Sequence, residues 1–280
     1  MFRNYTENLS EIYAEKISSS SSIKDIMKTI RKAKSHDVND LCESFNFYDG
    51  QSVKSFFPSS ELSFSSKHGF MEPLLPPMRH PGFCIKGGKY ILSLDYIVHD
   101  FEMMCKSLRP YSRLIMIDLG ADLTRENGPV IKLLDLYSKF GFEFDHIYGF
   151  EMVFSDPQKL YNDTIPEKYI HSFHWINAAV ETAPKSKMNP LNSILEKYDD
   201  DDFIVVKLDV DHAETEIPLV MQILSNENIS GKIDHLYFEH HVTIAEMRSS
   251  WGGSMNGTME DSMKIFTALR EKGIASHFWV

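Results

Sequence analysis

Five short apolar runs, each closing on a carboxylate or an amide and separated by helix-length stretches, constrain this chain more than any other feature. They are Leu114-Ile115-Met116-Ile117-Asp118, His146-Ile147-Tyr148-Gly149-Phe150-Glu151, residues 173–180 around Asn177, residues 203–210 ending near Asp209, and residues 235–240 ending at Glu239 and His240. A continuous apolar run suits a strand covered on both faces. Residues 274–280 read as a sixth strand, and helices are expected at 130–140, 191–198, 216–224 and 259–272. Strands alternating with helices at this spacing require right-handed crossovers. The expected fold is therefore α/β, a mostly parallel Rossmann-like sheet with helices on both faces.

The preceding segment has a different texture. Residues 1–81 read as an extension, with a serine run at 18–22 and a Ser-, Pro-, Gly- and Phe-rich stretch at 56–81 that has neither helical nor strand periodicity. Between them, Ile23, Ile26, Met27 and Ile30 recur at helical spacing, with Lys24, Lys28, Arg31, Lys32 and Lys34 on the other faces. This basic amphipathic helix is expected to pack its apolar stripe on the protein itself rather than on a membrane or nucleic acid. Residues 82–280 form the α/β domain, which opens with a helix expected at 90–108.

Composition narrows the function. A chain of 280 residues with 42% hydrophobic content is long enough to bury a sizeable core. Its formal charge of −11, from 40 Asp and Glu against 29 Lys and Arg, argues against nucleic-acid backbones as partners. No stretch approaches the ~20 consecutive apolar residues of a spanning helix, so a soluble chain without a membrane span is expected. Cys42, Cys84 and Cys105 are few, scattered and odd in number, which fits reduced thiols and excludes a sulfur-based metal cluster. Residues 1–20 lack the apolar segment of a signal peptide, so the default compartment is the cytoplasm. Acceptor patterns of the form Asn-X-Ser/Thr at Asn4, Asn8, Asn162, Asn228 and Asn256 make the secretory lumen the alternative.

In an open parallel sheet, ligands sit beyond the carboxyl ends of the strands where strand order reverses. Asp118-Leu119-Gly120-Ala121 is half of a nucleotide-binding turn, since Gly120 lets the backbone approach closely. Glu151 ends the next strand, where a carboxylate binds a ribose diol through two charge-assisted hydrogen bonds. Asn177 and Ala178 follow at the third strand end, facing an adenine edge. Lys207-Leu208-Asp209-Val210-Asp211-His212-Ala213-Glu214 is the densest cluster. There Asp209 calls for a ligand, a cation or helix-start amides, whereas Lys207, Asp211 and Glu214 have equally good structural roles. Glu239, His240 and His241 end the fifth strand as candidate general bases for a hydroxyl, or as partners of Asp209 around a divalent cation. Strand parity lets Glu239 and His241 share a side and excludes His240 unless the strand has already ended. No metal ligand is assigned. The acidic run at 199–202 reads as a solvated loop.

Ile117-Asp118-Leu119-Gly120-Ala121, Tyr148-Gly149-Phe150-Glu151, Asn177-Ala178-Ala179-Val180, Val206-Lys207-Leu208-Asp209-Val210-Asp211-His212-Ala213-Glu214 and Leu236-Tyr237-Phe238-Glu239 resemble, in order and spacing, the FkbM-like methyltransferases. The ending Leu269-Arg270-Glu271-Lys272-Gly273 through His277-Phe278-Trp279 is similar to an uncharacterised plant and algal branch of that family. The resemblance implies a class I, S-adenosylmethionine-dependent enzyme. It puts Asp118, Gly120 and Ala121 along the methionine part, Glu151 on the ribose, Asn177 and Ala178 near adenine, and Asp209 at the transfer site, with Glu239, His240 or His241 as base. The chain departs from the family pattern at Asp122-Leu123-Thr124-Arg125-Glu126, where a second glycine is usual. It departs again at His212, usually glycine, and after the last strand, where a final antiparallel strand is missing.

The expected activity is O-methylation of a hydroxyl on a small molecule or glycan. A catalytically inactive scaffold of the same fold is the first alternative. A nicotinamide-dependent oxidoreductase is the second, disfavoured because Glu151 lies 31 residues beyond Gly120 rather than about 20.

Overall fold

The computed structural model describes residues 23–32, 39–43, 63–65, 67–72, 74, 94, 97–123 and 128–279. The chain divides into two compact units, one made of Met1–Ser112 with Pro129–Glu143, the other of Arg113–Gly128 with Phe144–Trp279.

In the first unit, α1 (Ile23–Lys32) ends on Arg31 and Lys32, cations that suit the negative end of the helix dipole. Met27 and Ile30 are buried, and the Arg31 carbonyl accepts from the Tyr111 amide at 2.9 Å, so this basic helix packs onto its own protein. The serine run at 18–22 lies outside the described residues. Within the stretch expected to be irregular, β1 (Ser63–Ser65) and β2 (Gly69–Met71) pair as a short antiparallel hairpin. Tertiary bonds supply what periodicity did not show: Asp100 Oδ2 accepts from the Phe70 amide at 3.2 Å and Glu72 Oε2 from the Val98 amide at 3.0 Å.

The helix expected at 90–108 begins only at Phe101. Asp100 is its N-cap, with extended backbone and Oδ1 accepting from the Met103 amide at 3.1 Å, and α3 runs Phe101–Ser107. A disulfide joins Cys105 to Cys42 in α2 (Asn39–Glu43), with Cα atoms 5.5 Å apart, which corrects the expectation of reduced thiols for these two residues. Cys84 lies outside the described residues. Helix α4 (Pro129–Lys139) starts on proline, and Gly141, at φ +77°, lets the Phe142 amide turn back to the Tyr137 carbonyl.

The second unit carries the sheet. Strands β3 (Leu114–Leu119), β4 (His146–Phe150), β5 (Phe173–Ile176), β6 (Phe203–Leu208), β7 (His235–Phe238) and β8 (Ala275–Phe278) lie in the order β5-β4-β3-β6-β7-β8, every pair parallel. This is the Rossmann-like α/β sheet expected from the apolar runs, and its six described strands are all parallel. All six residues of β3 and of β6 are buried. The β4-to-β5 connection advances opposite to β6-to-β7 and β7-to-β8, so right-handed crossovers put them on opposite faces. Helices α5 (Ala213–Ser225) and α6 (Met259–Glu271) make the last two crossovers. The helix expected from residue 216 starts earlier, at Ala213, so Pro218 lies inside α5. The helix expected at 191–198 is split into Pro190–Ser193 and a single 3-10 turn, Leu195–Lys197.

Acids anchor the amino end of the sheet. Asp145 accepts from the Leu114 amide and Asp234 from the Ile204 amide, each at 2.8 Å. Asp202 is buried, accepts the Arg113 amide at 2.9 Å and pairs with the Arg113 guanidinium. Despite burial, those bonds hold its pKa below the ordinary carboxylate range. Asp202 is thus a structural pair, not part of a solvated loop.

Candidate functional site

Sheet order reverses between β3 and β6, and the candidate site grows from the carboxyl ends of those strands and their neighbours. Backbone bonds carry the parallel ladder past the strands. The Gly120 and Ala121 amides donate to the Phe150 carbonyl at 3.0 and 2.9 Å, Asp209 N to Leu119 O at 3.0 Å, and Glu239 N to Leu208 O at 3.1 Å. Gly120 adopts φ +87°, and a Cβ built on it would lie 1.6 Å from the Asp209 carbonyl oxygen. Glycine is therefore required where the two loops cross. Residues 124–127 of the bulkier turn lie outside the described residues.

Asp118 and Lys207 are Cα partners in the β3–β6 register, so their side chains leave the sheet on one face. Lys207 Nζ lies 3.2 Å from Asp118 Oδ1 and 3.2 Å from Asp209 Oδ2, and it donates to the Gly120 carbonyl at 2.6 Å. Burial opposes the ammonium, but the two carboxylates outweigh it and hold the Lys207 pKa above its ordinary value. Asp118, wholly buried, has its carboxyl pushed up by burial, with Lys207 opposing. The indole N–H of Trp279 donates to Asp209 Oδ2 at 3.1 Å. Asp118 is thus a buried partner of Lys207, and Lys207 links it to Asp209.

Asp209 opens onto a second group of acids. Burial pushes its carboxyl up to about 8; Lys207 opposes the rise, and Glu239, which shares a hydrogen bond with it, reinforces it. Glu239 and His241 meet just past the end of β7, with His241 Nε2 3.2 Å from Glu239 Oε2 and 3.5 Å from Asp211 Oδ1. Glu239 raises the His241 pKa against the effect of burial. His240 is not brought to this group. Its ring stacks on Phe238, with centroids 5.4 Å apart, on the side of Gly257. Burial lowers its pKa.

Asp211 has φ +55°, a left-handed conformation that Asp tolerates, and its side chain is exposed. His212 is extended at φ −143° and bonds Thr215 through Nδ1 at 2.9 Å, so an imidazole is accommodated where the family pattern has glycine. Sequence reasoning missed Glu216, buried on α5. Its Oε1 accepts from the Val210 amide at 2.9 Å, and burial pushes its carboxyl up to about 7, with His241 opposing. An acid in the first turn of an otherwise apolar helix was the available signal. Trp279 was singled out only through the family resemblance.

At the other strand ends, Glu151 is half-buried and its Oε1 accepts from the Val153 amide at 2.6 Å, which leaves the second oxygen for a ligand. Met152, Val153 and Phe154 beside it are 71%, 66% and 78% exposed. Asn177 braces this loop, donating to the Glu151 and Val153 carbonyls at 2.8 and 3.0 Å and accepting from the Ser155 amide at 3.3 Å. Its amide is engaged with protein, while Ala178, half-buried, offers backbone only. The β4 end thus combines one carboxylate with an apolar surface, a combination that suits a nucleoside.

Comparison with protein-family models, with curated proteins and with solved structures finds no match to this chain.

Proposed function

We propose that the protein is an S-adenosylmethionine-dependent methyltransferase acting on a hydroxyl of a small molecule or glycan. The observation that carries this reading is the β4 end, where the Glu151 carboxylate stands beside the exposed Met152-Val153-Phe154 loop, one strand away from the reversal of strand order between β3 and β6. That pairing fits a ribose diol and a base face, and the resemblance to the FkbM-like family points the same way. When bound, the donor would supply a methyl group on a sulfonium for in-line attack by the acceptor oxygen. Glu151 would hold the ribose hydroxyls, and the Leu119–Ala121 turn and the 151–155 loop would line the remainder. Glu239, which shares a hydrogen bond with Asp209, would be the carboxylate placed to take the hydroxyl proton.

The strand order gives a second reading, because six parallel strands in this arrangement are also the order of nicotinamide-dinucleotide domains. Calorimetric titration of the folded protein with S-adenosylmethionine, S-adenosylhomocysteine and NAD separates the two. Binding of the first two without NAD supports the methyltransferase, NAD alone supports the oxidoreductase, and no heat from any of them leaves the fold as a scaffold.

We also infer an oxidising compartment. The Cys42–Cys105 disulfide and the acceptor residues Asn162 and Asn228, both exposed, support the secretory lumen over the cytoplasm. Among the described residues no helix is long and apolar enough to cross a membrane.

A further inference from the structure

We propose that Asp209, Asp211, Glu239 and His241 bind a divalent cation. Each offers one ligand atom, and the four atoms lie within 4.8 Å of one another. Donors around a cation at about 2.0–2.2 Å fall within about 4.4 Å of each other. Only a sub-ångström contraction is needed, and Asp211, whose side chain is 81% exposed, is free to make it.

Carboxylates alone would not make this a site; His241 does. Its side chain is fully buried, its ring stacks on Trp251 with centroids 4.6 Å apart, and its Nδ1 lies 2.6 Å from Ser254 Oγ. The Ser254 hydroxyl donates to the Trp251 carbonyl at 2.6 Å, so its oxygen can only accept from the imidazole. The proton of neutral His241 is therefore fixed on Nδ1, and the Nε2 lone pair points at carboxylate oxygens 3.2 and 3.5 Å away. Nε2 makes no hydrogen bond with acceptable geometry. A lone pair facing carboxylates is repulsive unless a metal cation or a proton lies between them, and an Nδ1–H bond to a fixed acceptor is the usual support of a metal-ligating imidazole.

Lys207 meets Asp209 at Oδ2 and is shared with Asp118. Three oxygen donors and one imidazole nitrogen favour first-row ions such as Mn²⁺, Fe²⁺ or Zn²⁺ over Mg²⁺ or Ca²⁺. Such an ion lowers the pKa of a bound hydroxyl or water. Asp209 and Glu239 would then act as ligands rather than as a hydrogen-bonded pair. The site does not depend on the methyl-transfer reading.

The test is Mn²⁺ titration of the chelator-stripped full chain, with free ion read by electron paramagnetic resonance. We expect one Mn²⁺ per chain, not displaced by equimolar Mg²⁺. Asp211→Asn, an exposed position where Asn tolerates the left-handed backbone, and Glu239→Gln should each weaken it at least about tenfold with unchanged circular dichroism. Absence of Mn²⁺ binding, or affinity unmoved by both variants, overturns the proposal. Calorimetry with S-adenosylhomocysteine on the same samples keeps the two readings apart. Donor binding without Mn²⁺ overturns only the cation site, and Mn²⁺ binding without donor upholds it while removing the methyltransferase.

Discussion

The Asp209 carbonyl oxygen occupies the space in which a side chain at Gly120 would begin, 1.6 Å from the position of a Cβ. The crossing fixes the β3 and β6 loops against each other and so sets where Asp118, Lys207 and Asp209 meet. Gly120→Ala adds both this overlap and an unfavourable positive φ. We expect a loss of about 3 kcal/mol or more, read from the urea midpoint. A midpoint shift worth under about 1 kcal/mol would mean that the loops are not locked together.

Lys207 is the only cation in contact with Asp118 among the described residues, and both side chains are almost wholly buried. Lys207→Met leaves a buried carboxylate without its charge partner and should cost about 3–5 kcal/mol. Replacing both partners, Asp118→Leu with Lys207→Met, should recover much of that loss. Chemical denaturation of the three proteins checks it, and equal stability of single and double variants would contradict a buried pair.

Glu216 gives the fold a pH dependence of definite sign. Its folded pKa, about 7, lies above the ordinary 4.5, so the folded state binds the proton more tightly than the unfolded. Its contribution is complete below about pH 4.5 and is lost as pH rises through 7. Between pH 5 and 8, the melting temperature of Glu216→Gln should gain on that of the wild type, since Gln keeps an acceptor for the Val210 amide. A difference between the two that does not change with pH would contradict the assignment.

The disulfide ties α2 to α3 across 63 residues. Its removal should cost on the order of 2–4 kcal/mol. Melting with and without a reducing agent, compared with Cys42→Ser/Cys105→Ser, measures it. In non-reducing denaturant Cys42 and Cys105 should resist alkylation, and their ready modification would show that they are thiols.

The sheet was legible because its strands are nearly unbroken apolar runs, which only strands covered on both faces require. Their ends were less so. Each of β4 to β8 stops one to four residues short of the apolar run, because the residues beyond, such as Asp209 and Glu239, keep a ladder bond while turning into the loops. Asp100 hid the start of α3, since a capping acid preceded by apolar residues looks like helix interior. Parity expected Glu239 and His241 on one side, and they do meet, although β7 has already ended at Phe238. What no local pattern carries is a contact chosen by tertiary distance. Cys42 with Cys105, Trp279 with Asp209, and Asp202 with Arg113 belong to this kind, as does the Ser254 hydroxyl that fixes the His241 tautomer.

The most direct measurement of the central claim is the calorimetric affinity for S-adenosylhomocysteine in wild type and Glu151→Ala. A ribose diol bound by the Glu151 carboxylate contributes about 1.5–3 kcal/mol, so affinity should fall by about tenfold to a hundredfold while the fold is kept. No binding by the folded wild type, or equal affinity in the two proteins, would contradict a donor site at the carboxyl edge of this sheet.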